Sequence, residues 1–148
     1  MIILDTDALS HMQKRDPVGV LIAARLDASS DRDVRITSVT AYEIMRGAVA
    51  LINRHKKERR NLIPAFRLLQ ELVEYLGRWQ ELILPYEAAA EQIVPGFPAR
   101  LRQELKDDAQ IAAIALAYDA AVWTCNVDDY SRVPSLTVHR ADTELSVP

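Results

Sequence analysis

Five short segments limit what this chain can fold into. Met1–Leu4 is wholly apolar, Val34-Arg35-Ile36-Thr37 alternates, and Leu82–Leu84, Ala121–Thr124 and Leu136–Val138 are brief β-prone runs. An apolar run of this length reads as a strand buried on both faces, as in a parallel sheet. Stretches of helical spacing separate the five segments. Strands that alternate with helices pair in parallel through right-handed crossovers. The expected architecture is α/β: a three-layer sandwich whose central parallel sheet of about five strands is flanked by helices. A length of 148 residues suits one domain spanning residues 1–148.

The helices can be placed from caps, breakers and apolar periodicity. Thr6 and Asp7 read as caps for a helix starting near Ala8. Pro17 suits the first turn of a second helix, with Val18, Leu21, Ile22 and Leu26 on one face. Asp27–Asp33 is a polar break. A third helix is expected from about Thr40, carrying Ile44, Val49, Leu51 and Ile52, and a fourth from about Pro64 to Leu76. Glu87–Val94 reads as helix stopped by Pro95-Gly96, and Asp108–Ala121 as an alanine-rich helix.

In an open α/β sheet the working groups gather at the carboxyl ends of the strands. Asp5 lies directly after the first strand, Glu43 in the helix after the second, and Asp108 opens the helix leading into the fourth. Asn126, Asp128 and Asp129 follow that fourth strand. Each acid also has a local structural explanation. Asp5 could cap a helix, although Thr6 and Asp7 already offer caps. Thr40-Ala41-Tyr42-Glu43 fits a capping box, in which Glu43 reaches back to the N–H of Thr40. Asp107 and Asp108 suit a helix N-terminus, Asp128 and Asp129 a loop. Taken together, clustered acids repel one another unless something neutralises them. Mg²⁺ does so with oxygen ligands and needs few carboxylates, because it keeps several waters.

Charge and composition narrow the classes further. The net charge of −3, from 21 acids against 18 bases, argues against a protein that coats nucleic acid non-specifically. The basic run Arg54-His55-Lys56-Lys57-Glu58-Arg59-Arg60 reads first as a solvated helix face, with a phosphate-contacting patch as the sharper alternative. His11, His55 and His139 are scattered and Cys125 is alone, so no zinc-ligand spacing occurs. A single cysteine fits a reducing, cytoplasmic setting. No apolar stretch is long enough to span a bilayer, and the apolar start before Asp5 is too short for a signal peptide.

Four segments resemble, in order, the motifs of the PIN-domain ribonucleases, and specifically the VapC-type toxins of toxin–antitoxin pairs. They are Ile2-Ile3-Leu4-Asp5-Thr6-Asp7-Ala8-Leu9-Ser10, Ile36–Ile44 with Arg46-Gly47, Asp108-Ala109-Gln110-Ile111-Ala112-Ala113, and Trp123–Tyr130 with Arg132–Leu136. The resemblance implies a Mg²⁺- or Mn²⁺-dependent endoribonuclease that cleaves RNA by metal-activated water. Asp5, Glu43 and Asp108 would bind the metal. Asp7 stands where the family usually has Asn. Asn126 stands where many members have Asp, so Asp128 or Asp129 would supply the fourth acid. Asp107 is a possible extra ligand, Thr6 and Thr124 are candidates to hydrogen-bond the acids, and Arg46 could touch phosphate or pair with Glu43. The resemblance also implies a homodimer silenced by a VapB-type antitoxin, with the helical faces at 18–26 and 41–52 as candidate grooves. Two alternatives stay open at this point. Asp5-Thr6-Asp7 after a strand is also similar to haloacid-dehalogenase phosphatases, and a degenerate PIN module could act by protein binding alone.

Overall fold

A computed structural model describes residues 1–143. Its core is a five-stranded sheet built from β1 (Ile2–Leu4), β2 (Val34–Thr37), β3 (Ile83–Leu84), β4 (Ala121–Thr124) and β5 (Val138–Arg140). The strand order is β3-β2-β1-β4-β5, and every neighbouring pair is parallel. β1 is central: Ile2 pairs with Val34 on one side and with Ala121 on the other. The chain winds outward from β1 to β2 and β3, then returns to lay β4 and β5 on the opposite side. The crevice beyond the carboxyl end of β1 is therefore the topological switch point, where such sheets bind ligands.

Side-chain alternation along β1 explains why helices must cover both faces. Ile3 points into one apolar cluster with Ile111, Ala112, Ala115, Val122 and Tyr130. Ile2 and Leu4 point into the other, with Leu9, Ile22, Ile36 and Ile44. Full burial of each such aliphatic side chain contributes about 1.5–3 kcal/mol. The second cluster belongs to α1 (Thr6–Lys14), α2 (Pro17–Ala28), α3 (Ser38–Lys57) and α4 (Ile63–Gly77); the first belongs to α5 (Ala88–Ile93), α6 (Ala99–Glu104) and α7 (Lys106–Ala117). A four-residue turn of helix, α8 (Val127–Tyr130), follows β4 and places Tyr130 in the first cluster. The α/β three-layer expectation is met.

Local differences from the sequence expectations have identifiable causes. β5 is Val138–Arg140, not Leu136–Val138. Ser135 takes a left-handed φ of 64°, which turns the chain before it can pair, and Val138 then registers with Val122. α7 starts at Lys106 and ends at Ala117, short of Ala121, because Asp119 adopts φ 50° and releases the chain toward β4. α6 was not expected: only Leu101 of its six residues is buried, so it carries no apolar stripe. The cap of α1 is Asp5 itself, whose side chain accepts from the Thr6 N–H, rather than Thr6 or Asp7. The cap of α3 is Thr37, whose hydroxyl accepts from the Thr40 N–H at 3.0 Å. The cap thus lies three residues before Thr40, the helix begins at Ser38, and the capping box with Glu43 does not form.

Two contacts hold the helices that flank the crevice. α1 and α2 cross so closely at Gly19 that a Cβ there would lie 2.1 Å from the His11 carbonyl oxygen. Asp16 caps α2 by accepting from the Gly19 N–H at 2.9 Å, and also bonds His11 Nδ1 at 2.7 Å. The basic run closes the far end of α3. Arg54, Lys56, Lys57, Arg59 and Arg60 are all exposed there, where cations are favoured by the helix dipole.

Candidate active site

Asp5, Thr6, Asp7, Glu43, Asp108, Asn126 and Asp129 line one cavity of ≈ 290 Å³ at the carboxyl ends of the central strands. Five of these seven residues are acids, and no basic side chain lines the cavity. Asp5 leaves β1 and is buried although charged-type. Its Oδ1 accepts from the Thr6 N–H at 2.6 Å and its Oδ2 accepts from the Thr124 hydroxyl at 3.1 Å. Thr124 ends β4 and is fully buried. Its oxygen also accepts from the Asn126 N–H at 3.0 Å and lies 3.3 Å from both carboxylate oxygens of Asp7. One threonine hydroxyl thus fastens the ends of β1 and β4 around two carboxylates.

Asp7 comes one position into α1 beyond Thr6, on the turn that faces β4. Its Oδ1 accepts from the Cys125 N–H at 3.2 Å. From the sequence it reads as a cap or as a departure from a motif. Its spacing of two residues from Asp5 was the available signal, since Asp5 ends the strand and Asp7 lies in the first helical turn.

Glu43 projects from α3 toward α1. It accepts from the Thr6 hydroxyl at 2.5 Å and from Arg46 at 3.4 Å. Arg46 makes its shorter bond to Asp107, at 2.6 Å, and its guanidinium lies 5.0 Å from the centre of the Tyr42 ring. Asp107 therefore faces Arg46 at the rim and does not line the acidic cavity. Asp108 lies in the first turn of α7 and receives a long bond, 3.4 Å, from the hydroxyl of Tyr130. Tyr130 is buried among apolar side chains with its oxygen turned to the acids; it was not singled out from the sequence, where it reads as an ordinary core aromatic.

The residues after β4 divide. Asn126 donates from its side-chain amide to Asp129, which holds Asp129 in the cavity wall. Asp128, one residue earlier on the α8 turn, does not line this cavity. It faces a neighbouring groove. Of the two candidates for the fourth acid, the structure brings Asp129 to Asp5, Glu43 and Asp108.

The electrostatics follow from this geometry. Burial is the main reason that the Asp5 carboxyl is raised from 3.8 to about 7, with the charge of Asp7 adding to it. Asp108 rises to about 6, first through burial and then through Asp129 and Glu43. Glu43 is raised by burial and by Asp107, with Thr6 and Arg46 opposing. Asp129 is raised by burial, Asp7 and Asp128. Burial and the charges of Asp5 and Asp108 keep the Tyr130 phenol protonated far above its usual range. It can only donate.

A cluster of this kind is suited to a hard divalent cation. Among the described residues no three acid, imidazole or thiol groups are drawn together into a ready-made coordination shell. Mg²⁺ does not require one, since it binds through one or two carboxylates and retains waters. The donor set is oxygen only, burial and then neighbouring charge hold Asp5, Glu43, Asp108 and Asp129 above their ordinary range, and Thr6, Thr124 and Asn126 already orient four of the five carboxylates. The residues fit such an ion. Among the described residues no helix is long and apolar enough to cross a membrane.

Comparisons with known proteins agree with this frame. In solved structures, the fold matches a FitAB complex bound to an IR36 DNA fragment with a TM-score of 0.71 and 21% identity, covering 97% of this chain and 96% of that one. It matches VapBC2 of Rickettsia felis, bound to a promoter DNA fragment, with a TM-score of 0.67 and 19% identity over 94% and 98% of the two chains. It matches VapBC-1 of nontypeable Haemophilus influenzae with a TM-score of 0.63 and 21% identity over 97% and 100%. No curated protein matches in sequence. The family model described as PIN domain matches residues 2–136, a span that includes every acid of the cavity and leaves no place for the phosphatase resemblance. The chain belongs to the PIN domain family.

Proposed function

We propose that this protein is the toxin of a type II toxin–antitoxin pair, a VapC-type endoribonuclease that hydrolyses RNA phosphodiester bonds with Mg²⁺ or Mn²⁺. The observation that carries the reading is the cavity of five carboxylates at the switch point, free of lining bases, with Asp5 and Asp108 held at about 7 and about 6. Uncompensated acids destabilise a fold. Their retention at one spot is explained by a cation and an anionic substrate that meet there. Solved structures of similar fold include FitAB and VapBC complexes and a toxin–antitoxin complex from Klebsiella pneumoniae, which supports the same assignment here.

Asp5 and Asp108 would hold the ion, with Glu43 and Asp129 completing the acidic ring. When bound, such a cation would acidify water toward neutrality and offset charge developing on the phosphate. Glu43, held by the Thr6 hydroxyl, would orient an attacking water and take up its proton. Thr124 fixes Asp5 and Asp7, and Asn126 fixes Asp129. Tyr130 gives Asp108 a donor from the dry side. Arg46, paired to Asp107 at the rim, can exchange that partner for an RNA phosphate.

An antitoxin segment has a matching groove. A mainly apolar cleft of ≈ 250 Å³ runs between α1, α3 and α4, floored by Ile44, Ala48, Leu68 and Leu72. Thr6 and Glu43 line both this cleft and the acidic cavity, so a peptide seated in it reaches the site. It includes part of the 41–52 face expected from the sequence. The 18–26 face instead packs Ile22 and Leu26 into the core. A homodimer and a cytoplasmic setting belong to the same reading.

The test is cleavage of RNA by the wild type with Mg²⁺ or Mn²⁺ and its loss on chelation. Asp5→Asn and Asp108→Asn should each abolish it, and Asp5→Ala should relieve growth arrest on expression. If both variants cleave as well as the wild type, the site assignment is wrong. A wild type inert toward RNA but bound by an antitoxin would mark a degenerate module.

A further inference from the structure

The sequence offers Asp128 as a candidate for the fourth acid, and the structure turns it elsewhere. It faces a groove of ≈ 420 Å³ between α6 and α8, a volume within the range of small-ligand clefts. Leu101 and Leu105 form an apolar floor, and Arg100, Glu104, Asp128 and Arg132 stand around it. Asp129 lines this groove and the acidic cavity as well. A chain whose phosphate lies against the acids thus has the groove as the next space along.

The wall chemistry selects among occupants. Arg100 is bound to Glu104 at 2.6 Å along α6. Among the described residues the carboxylate of Asp128 and the guanidinium of Arg132 make no hydrogen bond or ion pair with protein. The backbone beneath them is fixed, because the Ser131 hydroxyl donates to the Asp128 carbonyl at 2.8 Å. A free carboxylate and a free guanidinium over an apolar floor are the elements that read an unstacked base: a plane to lie on, a cation to stack, and an acceptor for base N–H groups.

We propose that the α6–α8 groove holds the nucleobase flanking the scissile phosphate of single-stranded RNA, and that Asp128 selects a base offering paired N–H donors, guanine. This rests on the ribonuclease reading for the placement of the scissile phosphate against the acids. A carboxylate accepts both N1–H and N2–H of guanine. Uracil presents two carbonyl acceptors and one N–H, so its oxygens would face the acid unpaired. Arg132 contributes to all bases alike, through stacking or the adjoining phosphate.

Binding separates this proposal from the nuclease reading. Fluorescence anisotropy in EDTA compares three labelled octaribonucleotides: all-uridine, one central guanosine, and the same position as inosine, which lacks the N2 donor. The wild type should bind the guanosine strand about tenfold more tightly than the inosine strand. Asp128→Asn should bring that ratio to within about twofold. Arg132→Ala should weaken all three strands similarly and reduce the salt dependence. With Mg²⁺, cleavage should fall beside the selected base. Equal wild-type affinity for guanosine and inosine strands, or an unchanged ratio in Asp128→Asn, overturns the proposal. Base-selective binding without metal-dependent cleavage sinks the nuclease reading and leaves the groove assignment standing.

Discussion

Removing the charge of Asp5 should make this protein more stable while destroying its activity. Asp5 is buried, and its carboxyl is raised from 3.8 to about 7 by burial first and Asp7 second. For a carboxylate raised in the folded state, the stability contribution is fully present below the unfolded value and lost as pH climbs through the folded value. Between about 4 and about 7 the native state binds more protons than the unfolded chain, so unfolding free energy falls with pH. One pKa unit corresponds to about 1.4 kcal/mol, so at pH 7.5 ionised Asp5 costs on the order of 2–4 kcal/mol. Asp5→Asn keeps the cap, because an amide oxygen can still accept from the Thr6 N–H. Its NH₂ can donate to Thr124 Oγ1, which is then free to donate to Asp7. The variant should therefore melt roughly 4–16 °C higher than the wild type at pH 7.5 without metal, given about 2–4 °C per kcal/mol at this size. The two should converge near pH 4. Asp16 and Asp31 are shifted downward and act with the opposite sign, so the readout is the difference between the proteins across pH. Mg²⁺ should raise the melting temperature of the wild type only, by mass action. Equal stability of the two proteins from pH 4 to 7.5 would refute the claim that the acids are strained.

Three further outcomes follow from single contacts. Gly19→Ala should destabilise by about 1–3 kcal/mol, since the new Cβ meets the backbone of His11, which cannot move aside as a side chain can; thermal melting checks it, and an unchanged melting temperature would mean that α1 and α2 separate easily. Thr37→Ala should cost about 1–2 kcal/mol through loss of the α3 cap, whereas Thr37→Ser, which keeps the acceptor for the Thr40 N–H, should cost less in a urea titration. In metal-free protein, carboxyl NMR should find Asp108 titrating near 6, and Tyr130→Phe should move it upward by removing a donor to its ionised form; a downward move would place the Tyr130 hydroxyl elsewhere.

What the sequence showed of this molecule depended on how each residue's signal is generated. β1 was legible because burial on both faces leaves three consecutive apolar residues, and the rest of the sheet followed from its alternation with helices. α6 was illegible because it is a short, charged turn over one buried leucine, with no period to detect. The cap of α3 was misplaced because Thr37, Ser38 and Thr40 are all competent caps, and only the end of β2 decides which one is used. The same competition hid the double duty of Asp5. Capping and metal binding had been weighed as rivals, yet a carboxylate has two oxygens: Oδ1 caps α1, and Oδ2 turns to Thr124 and the cavity.

That division of labour is what makes the site buildable at all. A helix N-terminus tolerates an anion because its backbone N–H groups are otherwise unsatisfied, so Asp5 is anchored by the fold in the absence of any ligand. Asp108 gains similarly from its place in the first turn of α7, and Thr6 and Thr124 anchor Glu43, Asp5 and Asp7 with hydroxyls at the start of α1 and the end of β4. Each acid is held by one or two neutral donors from the scaffold, with Arg46 added at Glu43, and is repelled by its acidic neighbours. The scaffold supplies enough to position the carboxylates and too little to neutralise them. The residual repulsion is the quantity that a cation relieves on binding. It follows that substitutions at the neutral anchors and at the acids should separate. Thr124→Val should leave Asp5 buried with one bond fewer, lowering both stability and metal affinity. Asp5→Asn should raise the first and abolish the second. In a structural acid cluster without a binding role, both changes would lower stability and neither would alter the response to metal.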